Sequence, residues 1–319
     1  MADTDAQTQS INWNALGEDG SGDPSASAPQ ANGNTGSQPD TAPDNKPGQP
    51  GKVIGIAGVK GGLGTTTVAL NLAMTLVQAG HRVIYLELSS HPGTVTSYLN
   101  LTSDSSVQEN QIESSPMDEA GLSKSLIKHP TGLEILYFSI WSKTHRSYIS
   151  SEFLKFLFQE LTQRAEYLIV DFPLESSPIS GCIIEHCQLM NVILDTDRVC
   201  METAQEQIPD LTKETQIPIL LTVVNRTGMP STDGLKGIQD QLGCQALAQI
   251  PSATELCFTA VTKKLPIVCN NPNSVPALQF FQMRDHLLEF LSGGAAPQPR
   301  DRRSKDRRKQ NRRMSRDGW

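Results

Sequence analysis

Val53-Ile-Gly-Ile-Ala57-Gly58-Val-Lys60-Gly61-Gly62-Leu63-Gly64-Thr65-Thr66-Thr67 is the stretch whose reading decides the fold. Val53 to Ala57 is a short apolar run that ends in glycines, and Val68 to Val77 then reads as an apolar helix closing at Gly80. Strand, glycine-rich turn and helix, in that order, are the context a phosphate-binding loop needs. Glycines let successive backbone N–H groups turn toward one anion without Cβ obstruction, and the helix that follows adds its positive end. Glycine spacing alone also describes a tight turn with no ligand, so the residues around the loop must separate the two.

Outward from the loop the same alternation repeats. A second strand is predicted at Arg82–Leu88, and a further one at Leu133–Phe138 follows a polar stretch of weak pattern around 100–130. The amphipathic run Glu152–Ala165 predicts a helix, and Tyr167-Leu-Ile-Val-Asp171 predicts a continuous apolar strand stopped by Pro173. Strands at Met190–Leu194, Pro218–Val224 and Cys244–Ile250 alternate with helical patterns at 199–213 and 233–242, and Val275–Leu291 predicts a last helix. Apolar strands without polar alternation, separated by helices, indicate an α/β fold with a mostly parallel sheet covered on both faces.

Composition sets the limits of that fold. Of 319 residues, 37% are hydrophobic and 5% aromatic, but the aliphatic side chains are concentrated between the ends. Residues 1–51 are read as a disordered acidic linker, 52–292 as the folded domain and 293–319 as a disordered basic tail, because neither end offers enough apolar surface to offset its ordering entropy. No window approaches the roughly 18 consecutive apolar residues of a membrane span, and the acidic, polar start lacks the features of a secretory signal. A cytoplasmic protein without an integral membrane segment is expected. The six cysteines (Cys182, Cys187, Cys200, Cys244, Cys257, Cys269) lack metal-ligand spacing and read as buried, reduced thiols.

Charge is segregated. Seven acids against Lys46 leave residues 1–50 with a net −6, and ten bases against three acids leave residues 300–319 with +7. A basic arm tethered to an acidic body is expected to contact DNA, anionic membrane or an acidic protein, unless it is only a solvated end. Apart from Met314 and Trp319 it has no apolar stripe, so it is not an amphipathic anchor. Ile11, Trp13 and Leu16 form the apolar cluster of the acidic end, a candidate docking motif.

The loop resembles that of the ParA/MinD family of deviant Walker A P-loop ATPases, whose pattern is xKGGxGK[ST][ST]. Lys60 matches the signature lysine, Gly61, Gly62 and Gly64 the glycines, and Thr66 the magnesium-binding hydroxyl. The second lysine is missing, replaced by Thr65. Thr65-Thr-Thr67-Val-Ala-Leu-Asn-Leu-Ala73 is especially similar to the CpaE/TadZ pilus-assembly branch. Tyr167 to Pro173 is similar to the family's Walker B and switch II segment, with Asp171 as its acid. Val223-Val-Asn225-Arg226 resembles the strand end that contacts adenine, and Ile250-Pro251 the loop closing over the base. At switch I, where the family reads DxDxQ, this chain has Glu87, Ser89 and His91.

The resemblance implies a P-loop NTPase-like fold, ATP and Mg2+ as cofactors, and a homodimer that sandwiches nucleotide. Lys60, Glu87 and Asp171 are the implied catalytic residues. Gly61, Gly62, Leu63, Gly64, Thr65, Thr66, Thr67, Asn225, Arg226 and Pro251 are the implied nucleotide-binding set, and Thr66 and Asp171 hold the metal, Asp171 indirectly. Each role has a plainer rival. Thr66 suits a helix N-cap, Glu87 an acid that merely ends a strand, and Asn225 a turn before Gly228, while capping and packing suit the hydroxyls of Thr65 and Thr67. Loss of the lysine at position 65 and of an aspartate at Ser89 argues for weak hydrolysis. The implied function is an ATP-binding spatial organiser that localises a pilus or secretion machine, at the membrane or nucleoid periphery. The competing readings are a partitioning ATPase acting on DNA and a binding module that has lost nucleotide.

Overall fold

The computed structural model describes residues 49–89, 94–99, 101, 118–142, 147–174, 177–226 and 234–293. The readings placed on both charged ends, on Trp13 and Trp319, and on His91 and Gly228 lie outside the described residues.

Ten strands and ten helices make up the described fold. The strands are β1 Lys52–Gly58, β2 Val83–Ser89, β3 Ile127–Lys128, β4 Glu134–Ser139, β5 Trp141–Ser142, β6 Ser147–Tyr148, β7 Tyr167–Asp171, β8 Leu189–Asp195, β9 Ile219–Val224 and β10 Gln245–Ile250. The helices are α1 Thr65–Gln78, α2 Thr94–Leu99, α3 Glu119–Ser125, α4 Ser151–Arg164, α5 Pro178–Glu185, α6 Arg198–Glu214, α7 Gly234–Leu242, α8 Thr254–Lys263, α9 Ile267–Asn270 and α10 Val275–Leu291.

Eight strands form one sheet in the order β10-β9-β8-β1-β7-β2-β4-β3, parallel throughout except for the short edge pair β3 and β4. This is the α/β fold with a mostly parallel sheet that the alternation of strands and helices predicts. β8 and β9 are buried at every position, and β1 at all but its two end residues, because both their faces are covered. The polar Thr222 of β9 and Asn191 of β8 meet, Thr222 Oγ1 donating to Asn191 Oδ1 at 3.0 Å. Each fully buried aliphatic side chain in such a layer contributes roughly 1.5–3 kcal/mol against leaving it in water.

Close packing at the centre explains one glycine. A Cβ on Gly55 would collide with the Met190 side chain and lie 2.9 Å from Cys187 Sγ. Against β1 and β7 lies α1, with nine consecutive buried residues from Val68 to Leu76. The two polar members of that run are satisfied: Thr75 Oγ1 donates to Leu72 O at 2.7 Å, Asn71 Nδ2 donates to Thr67 O at 2.8 Å, and Asn71 Oδ1 accepts the Val268 N–H at 3.1 Å, tying α1 to α9. No helix among the described residues is long and apolar enough to cross a membrane.

Connectivity places the crevice. From β1 the chain passes beyond β7 to reach β2, whereas from β7 it passes beyond β1 to reach β8. Adjacent strands are thus left in opposite directions, and in an open parallel sheet ligands collect at the carboxyl ends of such strands. Those ends are the glycine loop and Asp171.

Candidate functional site

The loop begins where β1 stops. Val59 N–H donates to Ile193 O of β8 at 3.1 Å, and Leu63 is buried in the core, so the loop is pinned at two points. Between and after them Gly62 (φ 77°) and Gly64 (φ 84°) take left-handed backbone that a side chain would strain. Gly64 occupies the N-cap of α1, and no side chain caps the helix. The first helical bond is Val68 N–H to Gly64 O at 2.9 Å, so the amides of Thr65, Thr66 and Thr67 are left as the donors of an open helix start. The capping role weighed for the threonines is therefore corrected: a left-handed glycine holds the cap position and frees those hydroxyls.

Thr66 spends its hydroxyl elsewhere. Its Oγ1 donates to Asp171 Oδ2 at 2.6 Å, and the Tyr85 hydroxyl donates to the same oxygen at 2.7 Å. Asp171, Tyr85 and Glu87 are all buried. Burial pushes the Asp171 carboxyl up to about 6; the two hydroxyls pull it down and the neighbouring Glu87 raises it. Glu87 stands directly opposite Asp171 in the β2–β7 register. Its carboxylate accepts the Thr94 N–H at 3.2 Å and the Val95 N–H at 3.3 Å, so it fastens the start of α2 to the end of β2. Ser89 ends β2.

Lys60, on the solvent side of the loop, lies 2.7 Å from Asp197 Oδ2 with its Nζ. Asp197 is the N-cap of α6, and its Oδ1 accepts the Cys200 N–H at 2.9 Å. The bond to Asp197 raises the Lys60 ammonium above its ordinary range, and the bond from Lys60 holds the Asp197 carboxyl below its own. Asn225 follows β9 and donates its N–H to Ile250 O at 2.8 Å, and Pro251 follows β10. Asn225, exposed Arg226 and Pro251 thus gather at the carboxyl ends of the two outer strands, with β8 between them and the glycine loop.

Two residues of this arrangement escape the sequence reading. Asp197 carries a weak signal, an acid placed just before the helical pattern at 199–213. Tyr85 carries another, an aromatic hydroxyl inside an otherwise aliphatic strand two residues before Glu87. Of the cysteines, Cys257 is half-buried and the other five are buried, where desolvation raises their thiols.

The donor set is chemically coherent. An open helix start behind left-handed glycines suits an anionic phosphate, and a hydroxyl next to a carboxylate offers the hard oxygens that a small divalent cation prefers. A magnesium-bound nucleotide fits these residues.

Known proteins share this architecture. Putative septum site-determining protein MinD of Guillardia theta is 23% identical over 258 residues, which cover 75% of this chain and 91% of that protein. A ParA family ATPase from Chlorobium tepidum has the same fold, with a TM-score of 0.63 at 19% identity over 75% of this chain and 99% of its own. The septum site-determining protein MinD of Pyrococcus horikoshii, solved in complex with Mg-ADP, has a TM-score of 0.63 at 17% identity over 77% and 99%. The ParA family model, described as NUBPL iron-transfer P-loop NTPase, matches residues 49–288, three quarters of the chain. With that match and this fold, the chain belongs to the ParA/MinD-type family of P-loop NTPases.

Proposed function

We propose that this chain binds ATP with Mg2+, dimerises around it, and works as a spatial organiser of the CpaE/TadZ kind that positions a pilus or secretion machine, with weak hydrolysis. The observation that carries the reading is the open start of α1, where unbonded amides behind Gly64 adjoin the Thr66 hydroxyl held on Asp171. Residues 52–292 form the nucleotide-binding domain in this reading, with the acidic segment 1–51 and the basic segment 293–319 as its appendages. The protein acts in the cytoplasm, at the membrane or nucleoid surface. The septum-positioning names of the MinD relatives support a positioning role, and the similarity of Thr65 to Ala73 supports the pilus branch.

Each residue has a task in that site. The amides of Thr65–Thr67 and the positive helix end hold phosphate oxygens. Thr66 and Asp171 hold the cation, which when bound would neutralise phosphate charge. Asn225, Arg226 and Pro251 flank the base. Lys60 leaves Asp197 and turns to phosphate across the dimer. Phosphoryl transfer depends on positioning and on positive charge. Thr65 supplies no cation, and the Glu87 carboxylate already accepts two backbone amides. Binding is thus better provided for than turnover.

Equilibrium binding of a fluorescent ATP analogue, with sedimentation to follow assembly, tests this reading. Wild type should bind with Mg2+ and dimerise, Gly62→Val should lose binding, and Lys60→Ala should bind but remain monomeric. Unchanged binding in Gly62→Val would remove the site from this loop. A DNA-partitioning role is the second reading, favoured by the ten bases at 300–319; rapid turnover stimulated by DNA would select it.

A further inference from the structure

Tyr85 belongs to none of the motifs, yet it makes one of the shortest contacts at the centre of the site. Its ring is fully buried within β2, and its hydroxyl reaches Asp171 Oδ2 at 2.7 Å, the same oxygen that takes the Thr66 hydroxyl at 2.6 Å. One carboxylate oxygen therefore has two hydroxyl donors, arriving from two different elements, β2 and α1. A buried carboxylate has lost its water, and each donor replaces part of that hydration.

The geometry has a consequence for Thr66. A hydroxyl has one proton and two lone pairs. With the proton committed to Asp171, the lone pairs of Thr66 Oγ1 stay available to a cation, and Asp171 must remain fixed for that orientation to persist. Thr66 provides one anchor for the carboxylate and Tyr85 provides the other. Tyr85 is held rigidly because its neighbours in β2 pair with β4 on one side and β7 on the other.

We propose that Tyr85 is a positioning residue for the magnesium site: through Asp171 it keeps the Thr66 oxygen aimed at the cation and so sets how much Mg2+ strengthens nucleotide binding. The inference rests on the nucleotide-binding reading given above. Partners of this kind, one shell behind a metal ligand, alter metal affinity through orientation.

The test is the ratio of affinities for a fluorescent ATP analogue in Mg2+ and in EDTA, measured on the full chain. Wild type should bind better in Mg2+. Tyr85→Phe should lose of the order of tenfold of that gain, with affinity in EDTA unchanged. A merely structural role would weaken both affinities together and leave the ratio intact. To keep packing constant, 4-aminophenylalanine and 4-methylphenylalanine are placed at position 85: the first still donates and should keep the gain, while the second fills the volume without donating and should lose it. Equal ratios in folded Tyr85→Phe, or in the two unnatural variants, overturn the assignment of Tyr85 and leave the nucleotide reading standing. Wild-type protein that binds no analogue overturns both.

Discussion

Asp197 serves two groups with its two oxygens, capping α6 through Oδ1 and holding Lys60 through Oδ2. The two roles are separable by substitution, because asparagine is as good an N-cap as aspartate but brings no charge. Asp197→Asn should keep the melting temperature and release Lys60, lowering the ATP concentration needed for dimerisation in sedimentation. Asp197→Ala should release Lys60 as well and also cost about 1 kcal/mol of stability through the lost cap, measured by denaturant unfolding. An unchanged nucleotide dependence in both variants would show that the ion pair does not restrain the lysine. The sequence shows the reach of Lys60 but not its resting partner, since position 197 is distant in the chain and is brought near only by the adjacency of β1 and β8. Asp171 is different. A single acid ending an apolar strand is legible from its neighbours, but its two hydroxyl donors come from β2 and α1 and require the folded sheet.

At the scale of elements, β1 and the loop after it obey opposite constraints. Gly55 sits in the centre of the strand, where a methyl group would meet Met190 and Cys187, whereas a Cβ on Gly61 meets nothing within 4 Å. Gly55→Ala should therefore destabilise the fold by about 1–3 kcal/mol through overpacking. Gly61→Ala should leave unfolding unchanged and, if the loop cradles phosphate, weaken binding of the ATP analogue. Urea titrations and analogue binding on the two variants separate the effects, and equal stability in both would contradict the packing given to β1. The main strands and the long helices are legible in advance, since a strand covered on both faces writes itself as an apolar run: Val53–Ala57, Tyr167–Asp171 and Met190–Leu194 all lie within observed strands. The shorter helices are not. In α8 only Ala260 is buried, and Phe258 and Val261 face outward, so no apolar stripe marks it. With only eight residues, α5 begins at Pro178 soon after the apparent stop at Pro173, and its largely apolar sequence shows no helical period. In α3 the surrounding polarity hides Leu122, which is fully buried.

For the whole molecule the chief asymmetry is electrostatic. The sequence as a whole carries −7, while residues 300–319 carry ten bases against three acids. No apolar stripe accompanies those charges, so whatever binding they give to DNA or anionic membrane should arise from counterion release, tolerate changes of sequence and weaken steeply with salt. With about six phosphates neutralised, affinity should fall roughly a thousandfold between 50 and 200 mM salt. The family match ends at residue 288, before this segment begins, and the nucleotide-site candidates lie between Lys60 and Pro251. Removing 300–319 should consequently abolish binding to DNA fragments and to anionic vesicles while ATP-analogue affinity and nucleotide-dependent dimerisation stay unchanged. Fluorescence anisotropy on DNA and vesicle co-sedimentation, each at the two salt concentrations, measure the effect. Retention of full affinity after the truncation would move the binding surface onto the folded domain, with the exposed Phe258, Val261 and Lys263 of α8 and Lys264 just after it as the next place to substitute.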